Sequence, residues 1–285
     1  MSMLSSFQKK KLSPLWKFNP PGKIWKILFA DSSLLLGEAR NIDLKSASFF
    51  CIDSETGTPL WSDLRFAEAW WVGIDGVHCG VVFFHEFAKP DLPEHKSICA
   101  VDLRSGKILW TNTDASFFFA YSGFVYAERK MFEKRIALKL SLSTGELREE
   151  IDDPDALMSL RQLSVRESGK DDDVLYPELL AEDEKGSRRD FLSRHIDFDQ
   201  WRSLESIETP THVVASFHAV TNLNMSESPA FTNQLLILEK STAKKVFADT
   251  LNAYTKAIVP DSFFVRNETV YYVKEYSSLV AVKLN

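Results

Sequence analysis

ICAVDLRSGKILW, residues 98–110, decides the fold, because it repeats FFCIDSETGTPLW at residues 49–61. Asp53 falls on Asp102, Gly57 on Gly106, Leu60 on Leu109 and Trp61 on Trp110, an offset of 49 residues. Each copy reads as two strands around a tight turn. The apolar run before the turn suits a strand covered on both faces, and Ser/Thr-Gly supplies the left-handed residue that a short loop needs. The Trp beyond the turn then packs back across the pair. A third copy, IALKLSLSTGELRE at 136–149, keeps Gly145 and Leu147 but puts Glu149 where the Trp falls. A fourth, LLILEKSTAKKVF at 235–247, puts Glu239, Ala243 and Phe247 in the Asp, Gly and Trp slots.

Two further strand-like runs precede each hairpin. In the second unit these are AWWVGID and GVHCGVVFFHEF, with Asp75-Gly76 read as the turn between them. Four antiparallel strands per unit of about 40–50 residues is the blade pattern of a propeller. The 98 residues between Gly145 and Ala243 leave room for one more unit, with candidate strands at 174–183 and 190–198. At the end of the chain, Ala281-Val282-Lys283-Leu284 aligns with Ala100-Val101-Asp102-Leu103, and no outer strand follows. Pro14-Leu15-Trp16 repeats Pro59-Leu60-Trp61 and supplies the missing strand. The expectation is an all-β β-propeller of about six four-stranded blades, or five if the acidic segment is an insertion. It is closed by the N-terminal strand pairing with the last blade, so that residues 1–285 form a single domain with a degenerate acidic blade or insertion at about 150–205.

Composition narrows the classes. The net charge of −6 argues against a nucleic-acid binder, which needs a clustered basic surface. Residues 149–199 hold 16 Asp or Glu against 7 Lys or Arg, which predicts one acidic, solvated side. The start, MSMLSSFQKKKLSPLW, has a basic patch but no apolar core or cleavage site of a secretory signal, and no stretch is long and apolar enough to span a bilayer. A cytoplasmic monomer without nucleic-acid or membrane partners is expected. Cys51, Cys79 and Cys99 lie in apolar runs without CxxC spacing and read as small buried hydrophobes.

The runs CIDSETGTPLW at 51–61 and AVDLRSGKILW at 100–110 resemble the repeat of quinoprotein-like (PQQ-type) β-propellers, whose blades end in an Asp, a Thr/Ser-Gly turn and a Trp. The chain is also similar to uncharacterised bacterial propellers of unknown function. The resemblance implies a fold. The large enzymes of that group have eight blades and hold their quinone against adjacent cysteines, and this chain has neither the length nor a Cys-Cys pair.

If the blade strands run A to D outward, the Gly-bearing C–D turns are short, whereas the B–C connections at about 86–96 and 221–231 are long. Long loops on a rigid frame are where binding residues concentrate. Candidate binding residues near the ends of the B strands are therefore Glu38, Arg40, His85, Glu86, Glu128, Arg129, His218 and Glu275, with Lys274 beside them. Such residues offer carboxylate and imidazole ligands of the kind calcium or zinc takes, although their spacing matches no ligand motif. His212 and His218 lie about 20 Å apart along one strand and cannot share an ion. Trp70 and Trp71 read as packing. No GxGxxG, P-loop, GxSxG or HExxH pattern occurs, so no catalytic residue, metal ligand or cofactor is predicted. The function expected is a non-enzymatic binding or protein-interaction scaffold for an unknown protein or small molecule. The alternative is a metal-assisted hydrolase or glycosidase using Glu38, Glu128 and Glu275.

Overall fold

The computed structural model describes residues 11–89, 92–132, 134–167, 173–180, 186–197, 201–221 and 230–285. Strand β1 (Pro14–Phe18) is followed by three four-stranded meanders. The first is β2 (Lys23–Phe29), β3 (Leu34–Asn41), β4 (Ser46–Asp53) and β5 (Pro59–Leu64). The second is β6 (Val72–His78), β7 (Val81–Lys89), β8 (Leu92–Asp102) and β9 (Ile108–Asn112). The third is β10 (Ser116–Tyr121), β11 (Phe124–Lys130), β12 (Arg135–Ser141) and β13 (Leu147–Ile151). Helix α1 (Pro154–Glu167), short strands β14 (Val174–Leu175) and β15 (Glu178–Leu179), and helix α2 (Ser187–Leu192) come next. The chain ends with β16 (Trp201–Glu208), β17 (His212–Val220), β18 (Phe231–Glu239), β19 (Lys244–Thr255), β20 (Phe263–Arg266), β21 (Thr269–Lys274) and β22 (Ser278–Lys283).

The chain is all-β and repeats the four-stranded antiparallel meander of a propeller blade. Two compact units divide it: residues 20–172, and residues 173–285 with 1–19. The described residues form five sheets, the smaller of the two expected counts. Within residues 20–172 the three meanders share two apolar cores, one built on Phe49, Phe84 and Val101 and the other on Phe83, Val125 and Leu138. Strand β3 is buried over seven consecutive residues and β4 over six, whereas the outer strand β5 has no buried residue. That gradient explains the near-continuous apolar runs of the inner strands, which are covered on both faces.

The turns follow the sequence logic. Asp53 Oδ1 accepts hydrogen bonds from the Glu55 and Thr56 amides and the Thr56 hydroxyl, and Asp102 Oδ1 does the same for Ser105. Gly57, Gly106 and Gly145 close these turns at φ of +70°, +69° and +71°. Trp61 then lies over the next turn: a Cβ added to Gly106 would stand 2.9 Å from its ring, and its indole N–H donates to the Leu103 carbonyl at 2.7 Å. Trp110 repeats the arrangement over Gly145, where an added Cβ would come within 2.6 Å, and donates to Leu142 O at 2.8 Å. Glu149, in the third Trp slot, pairs with Lys139 at 3.3 Å, and a helix follows instead of another sheet.

In the other unit, β1 pairs antiparallel with β22, Trp16 opposite Ala281, as the repeat of Pro-Leu-Trp predicts. Trp16 is buried and its ring lies 6.0 Å from Tyr271. The remaining sheet is β15-β16-β17-β18-β19, and Ala243 holds the left-handed turn position expected of a glycine, at φ +51°.

The acidic interval differs from the expected extra meander. Asp153 caps α1 through its carboxylate and Pro154 opens it, a combination that starts a helix. Among the described residues, the strand expected at 190–198 is the end of α2 and the turn after it, and the strand expected at 174–183 is represented by β14 and β15. Residues 181–185, most of the expected 221–231 connection, Pro90 and the first ten residues lie outside the described residues. Among the described residues no helix is long and apolar enough to cross a membrane.

Replacing Trp16 with Ala should cost about 3 kcal/mol or more, since a buried Trp is removed from the seam between β1 and β22. Urea unfolding measures it, and a loss below about 1 kcal/mol would contradict a structural role for β1.

Candidate functional site

The site lies within residues 20–172, where β3, β6, β7 and β8 bring charged residues together at low exposure. Asp75 and Gly76 form no turn: they lie inside β6, and the connection to β7 is made by Cys79 and Gly80, both at positive φ. The β6–β7 register slips between Ile74 and Gly76, and the bulge falls on Asp75. Bulges re-aim a side chain. Here the Asp75 carboxylate meets two histidines: His95 Nδ1 hydrogen-bonds its Oδ1 at 2.9 Å, and His85 Nδ1 stands at the same distance from that oxygen.

The two imidazoles are stacked, with centroids 3.4 Å apart and planes within 7°. Phe87 meets both rings edge-on. His85 and Asp75 are almost fully buried at the side chain, 5% and 6% exposed, whereas His95 is 34% exposed and opens the cluster to solvent. His85 Nδ1 sits at hydrogen-bonding distance but misaligned, so both its nitrogens lack a hydrogen-bond partner, as does Asp75 Oδ2. Each such buried atom costs about 1–3 kcal/mol. Burial pushes the Asp75 carboxyl up, but the two imidazoles beside it outweigh that and hold it below the usual carboxylate range.

Gly73, across from His85 in the β6–β7 pairing, makes the room. A Cβ there would stand 3.0 Å from His85 Cε1, 3.1 Å from its Nε2 and 3.8 Å from Glu38 Oε2, so Glu38 flanks the same point. Glu38 is tied through its other oxygen to Arg40 Nε at 2.6 Å, and both residues are buried. Arg40 also donates to the carbonyls of Trp70 and Val72, each at 2.9 Å, and its guanidinium stacks between Trp70 and Trp25. The Trp70 and Trp71 amides are held by Glu68, and the Trp71 ring meets Phe87 edge-on.

A pocket of about 270 Å³ borders this cluster on the β6–β9 sheet. Its wall is mainly apolar, with Phe66, Val72, Phe84, Ile98, Cys99 and Ile108, and the polar positions include His85, Glu86, Ser97 and Thr111.

Residues 29–110, which carry Glu38, Asp75, His85 and His95, match the family described as Domain of unknown function (DUF4905). No curated protein matches the chain in sequence. Among solved structures it is similar to a europium-containing methanol dehydrogenase at 11% identity, covering 97% of this chain and 54% of that one, with a TM-score of 0.34. Hsv2 of Kluyveromyces lactis is similar at 10% identity, with 94% and 75% covered and a TM-score of 0.28. A bifunctional GH43-CE protein of Bacteroides eggerthii is similar at 10% identity, with 96% and 34% covered and a TM-score of 0.29. The chain spans about half the length of the methanol dehydrogenase, and likenesses of this size assign no activity.

The other expected site residues lie apart from the cluster. Glu86 reaches Lys96 at 3.4 Å and lines the pocket. On β11, Glu128 pairs with Arg135 at 3.3 Å and Arg129 with Glu150 at 2.6 Å. In the other unit, buried His218 accepts the Val259 N–H, and burial lowers its pKa. Glu275 is not extended strand but the turn between β21 and β22, at φ +49°, where it accepts the Ala253 N–H. Lys274 contacts Asp249 and is likewise engaged.

Cys99 is half-buried in the pocket wall, and burial, reinforced by the negative charge of Glu86, raises its thiol to about 11. The deeper Cys51 is raised to about 12, while Cys79 is exposed. Iodoacetamide at pH 8 should therefore label Cys79 first, and Cys99 labelling should keep accelerating as pH rises toward 11. A Cys99 rate that levels off below pH 9 would contradict this environment.

Proposed function

We propose that the chain is a non-enzymatic binding protein that takes a small, mostly apolar ligand in the pocket on the β6–β9 sheet, with the ligand's polar end against His85 and Glu86. The observation that carries this reading is the pocket itself, about 270 Å³ with a largely hydrocarbon wall and an imidazole and a carboxylate, His85 and Glu86, near one another. That combination is what small-ligand sites use for affinity and orientation. Its size suits a ligand at the lower end of the usual range, which begins near 300 Å³.

The carboxylates favour binding over hydrolysis. A glycosidase needs two carboxyl groups facing one another across a bond, about 5–10 Å apart, and available to move protons. Glu38 is committed to Arg40 and Glu128 to Arg135, while Glu275 holds a backbone amide. The net charge of −6 supports a role away from nucleic acid, and the reading takes the chain as a cytoplasmic monomer.

Cys99 gives the test its readout. A fragment mixture of small aromatic and aliphatic acids and amines should contain members that slow Cys99 alkylation while leaving Cys79 unchanged. Thr111→Trp, which fills the pocket from its exposed rim, should abolish that protection. If no fragment protects Cys99, or if protection survives Thr111→Trp, the pocket is not the binding site.

A further inference from the structure

Asp75, His85 and His95 present three donor groups whose ligand atoms all lie within 4.8 Å of one another. With bonds of about 2.0–2.2 Å, neighbouring ligands of a four-coordinate zinc ion stand about 3.3–3.5 Å apart, so these atoms are near enough to share an ion once one ring has turned. The cluster also contains His85 Nε2 and Asp75 Oδ2, without a hydrogen-bond partner on side chains more than nine-tenths buried. A purely structural carboxylate–histidine pair satisfies such atoms by hydrogen bonding. Here both imidazoles face one carboxylate oxygen, while Asp75 Oδ2 and His85 Nε2 are left over.

We propose that Asp75, His85 and His95 form a binding site for a divalent first-row transition metal of the zinc class. Two imidazole nitrogens and one carboxylate favour zinc, cobalt or nickel over calcium or magnesium, which take oxygen-rich shells. Three protein ligands leave a coordination position for water or a ligand atom. The rings as they stand are parallel, so no ion can lie in both ring planes, and binding turns one imidazole out of the stack. His95 is the ring with room, because His85 is almost fully buried while His95 is a third exposed. Glu38 Oε2 flanks Gly73 on the side of His85 Nε2, and Arg40 fixes the Glu38 side chain there through its other oxygen.

His85 lines both the pocket and the metal site, so the proposal deepens the binding reading: the pocket's ligand would approach the ion's open position. The test titrates the full-length protein with cobalt(II) chloride alone and follows the visible d–d absorption, with zinc as competitor. One equivalent should bind with the intensity of a low-coordinate site and be displaced by zinc but not by excess calcium. His95→Ala, at a part-exposed position, should weaken binding by more than the 10- to 100-fold that loss of an outer-shell partner causes. Asp75→Asn, which keeps the side chain's shape, should do likewise. Absence of saturable cobalt binding, binding unchanged in both variants, or displacement by calcium would overturn the proposal. The two readings fail separately: without a metal site, fragments still protect Cys99, and without a ligand pocket, the cobalt spectrum still forms.

Discussion

An indole laid over a turn glycine is the contact on which the arrangement of residues 20–172 depends. Trp61 of one meander covers Gly106 of the next and donates to the Leu103 carbonyl, and Trp110 covers Gly145 and donates to Leu142. Each contact combines a large apolar face with a directed hydrogen bond, so it fixes both the spacing and the register of neighbouring sheets. Each also requires its glycine twice over: the φ near +70° disfavours a side chain, and the ring occupies the place a Cβ would take. The capping aspartates Asp53 and Asp102 hold the turns in shape for this docking.

Sheets held in register let the inner strands carry polar groups in a dry setting. The first meander contributes Glu38 and Arg40, the second Gly73, Asp75, His85 and His95, and they meet because neighbouring sheets pack face to face through Phe49, Phe66 and Phe84. The same packing leaves the pocket beside His85. Burial strengthens the hydrogen bond between Glu38 and Arg40 and makes the unpartnered His85 Nε2 and Asp75 Oδ2 costly.

The repeat was legible because its residues act locally: Asp caps a turn, Gly permits it and Trp follows at fixed distance. Trp16 likewise announced the β1–β22 pairing through a three-residue echo of Pro59-Leu60-Trp61. Half the cluster was also legible, since Glu38, Arg40 and His85 are polar residues in the apolar runs of β3 and β7, although Glu38 and His85 lie mid-strand and not at the strand ends. Asp75 was not, because Asp-Gly is the commonest short hairpin signal and only the cross-strand register shows a bulge there. His95 was hidden by Pro90 and Pro93, which suggest a long loop, whereas β7 and β8 run on as strands to Lys89 and from Leu92. The acidic interval misled through its spacing: twice 49 residues suggested another meander, but Asp153-Pro154 starts a helix, a local signal that outweighs periodicity.

The docking of Trp61 on Gly106 can be isolated by a double-mutant cycle in urea unfolding, using Trp61→Ala, Gly106→Ala and the pair. With the indole present, a Cβ at Gly106 meets the ring at 2.9 Å in addition to the cost of its φ of +69°. Without the indole only the backbone cost remains. The two losses should therefore sum to at least about 1 kcal/mol more than the double variant loses, the size of coupling expected for residues in contact. Additivity within about 0.5 kcal/mol would contradict the account, because it would mean that the ring and the turn act independently.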